Sequence, residues 1–358
     1  MKITHLEAIG LALLCLLPSA RAQTTNVPAV TPPAGRSHAW WREAGPGERP
    51  YMVDAKKMPL ISVKGNRFVD PVGQPVLFRG LAISDPDKLE MQGHWNREHF
   101  VKVKEMGAML VRIPVHPVAW RERTPVEYLK LLDQAVGWCT ELNMYVMLDW
   151  HSIGNLETGV FQDPMYDTTK QETYNFWRVM ARHYAGHNTV AFYELFNEPT
   201  TYRNQLGPVS WDAWKKSVEE EITLIRAYNP QAIPMVAGFD WAYDLTPIIL
   251  NPIAAEGIGY TVHPYANKRS QPWEPKWEED FGFAAAKYPV MATEFGGFGG
   301  REPAYGPAIF KYLESKGISW TVWCFDPEWG PTLIKNRNYD LNASGEAAKA
   351  AMHGEPVK

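Results

Sequence analysis

The stretch VAFYELFNEP, from Val190 to Pro199, is the part of the chain that decides the fold. Its first seven residues are apolar apart from Glu194, and aromatic or branched side chains dominate, as in a short buried strand. The apolar run then gives way to Asn197 and Glu198, followed by a proline that cannot donate to a sheet and that favours extended geometry in the residue before it. The pattern therefore predicts a rigid strand that carries a carboxylate, with an amide beside it, to its C-terminal end.

A second stretch, YPVMATEFGG from Tyr288 to Gly297, repeats this arrangement. Another short apolar strand ends in Thr293 and Glu294, and Phe295 and paired glycines follow. A surface glutamate at the end of one strand is common and indicates little by itself. Two strands that each deliver a glutamate at the C-terminal end indicate a pair of carboxyl groups that act together.

Strands and helices alternate on both sides of these two stretches. Apolar runs predict eight strands, at Val76–Ile83, Met109–Val115, Met144–Trp150, Val190–Phe196, Ala232–Ala237, Ile258–Val262, Val290–Thr293 and Ser319–Trp323. Helical patterns separate or follow them at Asn96–Met106, Pro125–Leu142, Thr169–Tyr184, Trp211–Tyr228, Asp244–Leu250, Glu278–Ala286, Pro307–Ser315 and Asn342–Met352. Eight strands, each followed by a helix, predict an α/β fold of the (β/α)₈ TIM-barrel type with a single catalytic domain. A doubly wound open sheet is the alternative, but no glycine-rich phosphate turn follows the first strand.

The N-terminal residues indicate the compartment of the protein. Residues 1–22 have the pattern of a secretory signal peptide, with Lys2, an apolar run from Ile9 to Leu17, and a small-residue cleavage site before Gln23. That run is too short to span a bilayer. We therefore expect a secreted protein, extracellular or periplasmic, with an irregular N-terminal linker over 23–59 and the catalytic domain over 60–358.

Composition excludes several classes of partner. The formal net charge is −4 and there is no basic cluster, so we expect neither nucleic acid nor a membrane as a partner, and we expect a monomer.

Cys139 and Cys324 remain once the signal is removed, and both are expected to be buried free thiols, the first on a helix and the second in a strand. The chain has 15 Trp among 358 residues, and flat rings in loops suit stacking on sugars.

The active site of a (β/α)₈ barrel forms at the C-terminal ends of its strands. Polar and aromatic residues accumulate at these ends, in the order Arg112, His116, Asp149, His151, Asn197, Glu198, Asp240, Trp241, His263, Tyr265, Glu294 and Trp323. Such a set supplies every group that acid–base chemistry needs. Metal-dependent barrel hydrolases usually carry clustered histidines after the first strand, where this chain has Gly80 and Leu81, so we expect no metal and no cofactor.

Several of these residues also have purely structural interpretations. Arg112 could belong to an internal ion pair, and His116, which we expect to reach the cleft and bind substrate, could instead serve a loop. His151 and His263 could be ordinary buried histidines, and Asp149 is more simply a structural partner inside the barrel. Trp241, together with Trp273 and Trp329, could be an outer sugar platform or part of the core, since exposed and buried tryptophans look alike in a sequence.

The motifs LVRIPV, YVMLDWH, YELFNEP, TVHPY, ATEFGG and SWTVW resemble, in order, the successive signatures of glycoside hydrolase family 5, the large cellulase family of retaining β-glycanases. The resemblance extends from about Leu60 to Met352. It implies that Glu198 is the general acid/base and Glu294 the nucleophile. It also implies that a further set of residues lines the subsite of the attacked sugar: Arg112, His151, Asn197, His263, Tyr265 and Trp323.

Retaining chemistry requires two carboxyls about 5–5.5 Å apart, in environments that separate their pKa values. We expect Arg112 and Tyr265 to hold Glu294 ionised, Asn197 to bond the sugar 2-hydroxyl, and Trp323 to stack beneath the ring. The expected activity is that of an endo-β-1,4-glucanase, a cellulase acting on a β-linked polysaccharide or oligosaccharide. A β-1,4-mannanase or a xyloglucanase is the alternative within the family, and a non-catalytic carbohydrate-binding barrel is the alternative of another class.

Overall fold

The computed structural model describes residues 51, 58–200, 206–298, 300 and 302–357. Eight parallel strands close into a barrel: β3 Arg79–Ala82, β4 Leu110–Val115, β5 Tyr145–Trp150, β8 Val190–Glu194, β10 Ile233–Ala237, β11 Gly259–Val262, β12 Val290–Ala292 and β13 Ser319–Val322. Around the barrel they pair in the order β10-β11-β12-β13-β3-β4-β5-β8. All eight lie within the predicted stretches, so the predicted (β/α)₈ fold is confirmed. A Cβ atom at Gly80 would lie 2.0 Å from the carbonyl oxygen of Leu110, which explains why glycine stands where β3 meets β4.

Helices surround the barrel. They are α1 Pro86–Met91, α2 Arg97–Glu105, α3 Pro117–Arg123, α4 Pro125–Glu141, α5 Lys170–His183, α6 Trp211–Tyr228, the four-residue turn α7 Phe239–Ala242, α8 Trp273–Asp280, α9 Tyr305–Lys316 and α10 Ala343–Met352. Four of them, α2, α5, α6 and α10, begin where a polar side chain caps the first turn: Asn96, Thr169, Ser210 and Asn342 each accept a hydrogen bond from the backbone N–H three residues later. No helix in the described part of the chain combines the length and apolarity that a membrane span needs.

Two predicted helices are wrong in detail. The segment predicted at Asp244–Leu250 forms only a 3₁₀ turn, Thr246–Ile249. The segment predicted at Glu278–Ala286 is interrupted at Phe281: α8 ends just before it, and a 3₁₀ helix, Gly282–Ala286, follows. α8 starts earlier than expected because prolines are tolerated in the first turn of a helix. The short helices α1 and α3, which also begin at prolines, were not predicted.

A hairpin ahead of the first barrel strand closes the N-terminal end of the barrel. Strands β1 Ser62–Lys64 and β2 Arg67–Val69 pair antiparallel, and they bring Phe68 against the barrel floor. Phe68 lies edge-on to Phe192, with 5.0 Å between ring centroids, and Phe78 has the same separation from Phe192. These aromatic rings fill the lower barrel, so the opening for a ligand lies at the other end.

The termini and the cysteines complete the comparison with the sequence. The predicted signal peptide lies outside the described residues, as does almost all of the predicted linker, and the domain boundary at residue 60 stays a prediction. Cys139 is a buried free thiol on α4, as expected. Cys324 is also buried and free, but it lies just beyond β13 rather than in a strand.

Candidate active site

Glu198 and Glu294 meet at the C-terminal end of the barrel, where the strands of the two sequence stretches terminate. One carboxylate oxygen from each lies within 4.8 Å of the other and of a ring nitrogen of His263. Both side chains are largely enclosed, since Glu198 is 9% exposed and Glu294 is 5% exposed. The two glutamates singled out in the sequence are therefore brought together in one small, nearly enclosed site.

Backbone pairing that the sequence did not predict fixes Glu198. Residues Glu198–Pro199 form a short strand, β9, which pairs with β6 (Ile153–Asn155) in a three-stranded sheet completed by β7 (Val160–Phe161). The N–H of Glu198 donates to the carbonyl of Ser152 at 3.0 Å. The carboxylate thus extends from a paired, rigid segment rather than from a mobile loop.

Arg112 is the central cation of the site. Its guanidinium is completely buried and donates to Glu194 Oε2 at 2.5 Å, to Glu294 Oε1 at 2.6 Å and to Asn197 Oδ1 at 2.6 Å. It also lies 2.9 Å from Asp149 Oδ2. Burial lowers the pKa of Arg112, but the surrounding carboxylates outweigh it and raise that pKa above the ordinary value. Arg112 is therefore a member of an internal ion-pair cluster that includes Glu294, and its role toward a substrate stays a prediction.

Glu294 makes the contacts that were expected of it. Arg112 holds one oxygen, and the hydroxyl of Tyr265 donates to the other at 3.1 Å. Burial nevertheless raises the pKa of Glu294 above the usual value of a glutamate, while His263 and Arg112 act in the opposite direction. The expectation that its partners would dominate its ionisation did not allow for the cost of burying a charge.

His263 connects the two halves of the site. Its Nδ1 lies 2.8 Å from Glu198 Oε1, and its Nε2 lies 3.1 Å from the hydroxyl of Thr293. Burial disfavours the charged ring, but Glu294, Glu194 and Glu198 outweigh burial and raise the pKa of His263 to about 9. At neutral pH both ring nitrogens therefore donate, and the Thr293 hydroxyl donates a hydrogen bond of its own to Glu194 Oε1 at 2.6 Å.

The same residues include the one group of possible metal ligands found in the described part of the chain: Glu198, His263 and Glu294. Their spacing would suit a single ion. A metal ion would have to displace the proton of His263, because it requires a neutral imidazole with a lone pair to offer. The absence of a metal requirement stays a prediction.

Asn197 is oriented for a ligand. Its Oδ1 accepts from Arg112, which fixes the amide so that Nδ2 faces the other way. That Nδ2 is buried and has no hydrogen-bond partner among the described residues. A buried donor without a partner is costly, so its position fits the predicted bond to a sugar hydroxyl.

Trp323 and His151 lie side by side at the same end of the barrel. Their rings are almost parallel, with 2° between the planes and 5.3 Å between the centroids, and Trp323 is 7% exposed. His151 Nδ1 lies 2.6 Å from Asp149 Oδ2, which confirms Asp149 as a structural partner. Trp329 is half-buried and nearly parallel to Trp323 at 6.3 Å, so it belongs to the rim rather than to the core.

His116 also faces the rim. Its ring stacks on Tyr166 at 5.7 Å and meets Trp329 edge-on at 5.1 Å, while Nδ1 lies 2.9 Å from Asp85 Oδ2. Trp241 is half-buried and borders a cavity that Glu198 also lines. Trp273 is different: it is buried and packs parallel to Trp277, so its interpretation as an outer platform is wrong.

Sequence reasoning missed several residues of this site. The available signal for Glu194 was its position as the polar residue of an apolar strand, but the sequence alone assigned it no role. In the structure it is fully buried and accepts a hydrogen bond from Arg112. Burial raises the pKa of Glu194, but Arg112 and His263 outweigh it, so that the pKa lies below the usual value. Asp85 and Tyr166 gave no signal, because their roles depend on loops that only the fold brings together.

Comparisons with known proteins agree with this geometry. The model of the cellulase family, glycosyl hydrolase family 5, matches residues 69–328. The chain is 26% identical to an endoglucanase of Clostridium saccharobutylicum over 82% of its own length and 65% of that protein. It is 28% identical to an endoglucanase of a Microbulbifer species over 60% of its own length and 40% of that protein. The chain therefore spans two thirds or less of these two relatives.

Solved structures give a more complete match. A β-glucanase of Saccharophagus degradans in its native form is 44% identical, with a TM-score of 0.83, over 88% of this chain and 98% of that one. The same β-glucanase in complex with cellotetraose gives 43% identity and a TM-score of 0.84 over the same shares of the two chains. The family match, the barrel topology and the order of the motifs all indicate the same family. The chain therefore belongs to glycosyl hydrolase family 5.

Proposed function

We propose that this chain is a secreted endo-β-1,4-glucanase that cleaves internal bonds of cellulose or a related β-glucan with retention of anomeric configuration. The observation that carries the proposal is the pair Glu198 and Glu294, whose oxygens approach within 4.8 Å at the strand ends of the barrel. Retaining enzymes hold their carboxyls about 5–5.5 Å apart, whereas inverting enzymes leave about 6.5–9.5 Å for a water molecule. The short separation supports the retaining course.

Glu294 is the nucleophile in this proposal. Its carboxylate attacks the anomeric carbon, and a covalent glycosyl-enzyme forms as the glycosidic bond breaks. Arg112 and Tyr265 hold the two oxygens of Glu294 and so orient the attack. The Nδ2 of Asn197 is placed to donate to the sugar 2-hydroxyl, an interaction that strengthens in the transition state.

Glu198 acts as acid and then as base. It gives a proton to the departing oxygen in the first step and takes a proton from the incoming water in the second. The protonated ring of His263 donates to Glu198 Oε1 and stabilises the carboxylate that forms between the two steps. Trp323, next to Arg112 and His151, is placed to support the face of the reacting sugar.

The relatives support the choice of substrate. The curated relatives are endoglucanases, and the β-glucanase of 43% identity was solved with cellotetraose. The proposal includes secretion, which rests on the signal-like pattern of residues 1–22. The mature protein, recovered outside the cytoplasm, should begin at Gln23, and recovery of a chain that still begins at Met1 in the cytoplasm would contradict secretion.

The test of the activity is release of reducing sugar from carboxymethyl-cellulose, barley β-glucan, glucomannan, xyloglucan, mannan and xylan. We expect the highest rate on a β-1,4-linked glucan, some cleavage of glucomannan, and none from a Glu294→Gln variant on any substrate. If pure mannan were cleaved faster than every glucan, the mannanase alternative would replace the proposed activity. If xyloglucan were cleaved faster than every other glucan, the xyloglucanase alternative would replace it. No release from any substrate would favour a binding protein without chemistry.

A further inference from the structure

A cavity of about 450 Å³ borders Glu198. Besides Glu198, its walls include Gln162, Asp240, Trp241 and Lys268, but neither Glu294 nor Trp323. The acid/base residue of a retaining glycosidase stands between the attacked sugar and the leaving group. A cavity that touches the acid/base residue but not the nucleophile therefore lies on the leaving-group side.

The wall of this cavity is built around Trp241. Asp240 and Trp241 have φ of 58° and 55°, a left-handed backbone that non-glycine residues rarely adopt and that tends to persist at functional positions. The indole N–H donates to Gln162 Oε1 at 2.9 Å, and the Lys268 ammonium lies 4.7 Å from the ring centroid. The ring is thus held in one orientation against the cavity, as a platform for a sugar requires.

Lys268 has donor capacity that the described protein does not use. Its Nζ donates to the carbonyl of Asp240 at 2.8 Å, yet an ammonium has three N–H donors. In the described ranges no carboxylate lies within 4.0 Å of that Nζ, whereas the neighbouring Arg269 is paired with both Asp240 and Asp280. Burial lowers the pKa of Lys268. The charges of Glu198 and Asp240 act in the opposite direction but do not outweigh burial, as expected for a cation enclosed without a direct counter-charge.

We propose that Lys268 sets the preference for a sugar acceptor over water at this cavity: it donates to hydroxyls of a saccharide bound over Trp241 and so raises the share of glycosyl-enzyme that is transferred to a sugar. The inference rests on the proposed function. In the transfer step the ester bond between Glu294 and the anomeric carbon breaks, and its electron pair returns to the carboxylate. A hydroxyl oxygen of the acceptor forms the new bond to that carbon, and its proton passes to Glu198.

The test uses 2,4-dinitrophenyl β-cellobioside as donor and cellobiose as acceptor. Dinitrophenol release measures formation of the glycosyl-enzyme, and mass spectrometry separates hydrolysis to cellobiose from transfer to a tetrasaccharide. The variants are Lys268→Met, which keeps the stem, Lys268→Gln as a second neutral side chain, and Lys268→Arg, which keeps the charge. Lys316→Met is the matched control, because Lys316 also lies near an aromatic ring, at 6.0 Å from Tyr312, but on the outer helix α9.

We expect the tetrasaccharide from the wild-type protein, with a transfer-to-hydrolysis ratio that rises with cellobiose concentration. The ratio should fall roughly tenfold in both neutral variants, as the loss of a charged hydrogen bond implies, recover in part in Lys268→Arg, and stay unchanged in Lys316→Met. An unchanged ratio in either folded neutral variant would overturn the inference, as would wild-type dinitrophenol release with no tetrasaccharide at any acceptor concentration. A wild-type protein that releases no dinitrophenol would overturn the proposed function as well.

Discussion

The two ends of the barrel are built from the same strands but from opposite chemistry. At the N-terminal end the inward positions are apolar and are filled by a buried cluster of aromatic, aliphatic and methionine side chains, among them Phe68, Phe78, Met147, Phe192, Met235 and Met291. At the C-terminal end the inward positions are charged or polar, namely Arg112, Asp149, Glu194, His263 and Glu294. Both groups are almost completely buried.

The difference shows that burial does not separate structural from functional residues in this protein. Phe192 and Glu194 lie two residues apart on β8, point into the same barrel and are both inaccessible. What separates them is position along the strand, because only the C-terminal end opens to a ligand. The charged end holds its groups through mutual ion pairs, which cost desolvation energy, and the apolar end supplies the burial that stabilises the fold.

The largest expected effect is on catalysis, from Glu294→Gln at the charged end. The variant should lose at least about four orders of magnitude in turnover on every substrate, because no other group forms the covalent bond. Glu198→Gln should instead spare the first step for dinitrophenyl glycosides, whose leaving group needs no proton. Stopped-flow absorbance should then show a burst of dinitrophenol, and added azide should release a β-glycosyl azide. Slow release by Glu198→Gln without a burst, unaffected by azide, would break the division of roles.

The second effect belongs to the apolar end. Phe192→Ala should lower the free energy of unfolding by about 3–5 kcal/mol, the usual cost of removing a buried aromatic ring. The turnover number of the folded fraction should stay close to that of the wild type. Urea unfolding and steady-state kinetics on one preparation would measure both. If the fully folded variant also lost most of its turnover, the apolar end would contribute to catalysis. The two ends would then not have separate functions.

The third prediction concerns pH and His263. Its pKa in the folded protein is about 9, above the value of about 6.5 expected in the unfolded chain. Its stabilising contribution is therefore fully present below pH 6.5 and is lost as the pH rises through 9, with a size on the order of 3 kcal/mol. Melting temperatures between pH 6 and 10 should fall more steeply for the wild type than for His263→Gln. Parallel curves would mean that His263 is not charged in the fold.

The smallest expected effect compares two tryptophans. Trp323→Ala should lower turnover by well over tenfold, because the ring supports the reacting sugar, and Trp273→Ala should leave turnover near the wild-type value. Trp273 packs on Trp277 and is expected to cost stability instead. Circular dichroism establishes folding, and kinetics on β-glucan gives the comparison. Full activity in a folded Trp323→Ala variant would remove Trp323 from the reacting subsite.

The sequence predicted the barrel because every strand is a short apolar run rich in branched or aromatic residues, and a helical pattern follows each of them. It also predicted which residues meet, since strand ends of a parallel barrel share one rim: Glu198, Glu294 and Arg112 all lie there. It did not predict the role of Glu194, because a single polar residue inside an apolar strand has no visible partner until the barrel closes. Trp273 and Trp329 could not be told apart, since burial of a tryptophan outside the strands depends on which elements pack against it.

The most direct test of the central claim is proton NMR of the wild-type protein cleaving a soluble cello-oligosaccharide. If Glu294 forms a covalent glycosyl-enzyme and Glu198 then activates water, two inversions occur at the anomeric carbon. The β-anomer of the product should therefore appear first, and the α-anomer should grow only by mutarotation. An initial α-anomer would show a single inversion and would contradict the assignment of Glu294 as nucleophile.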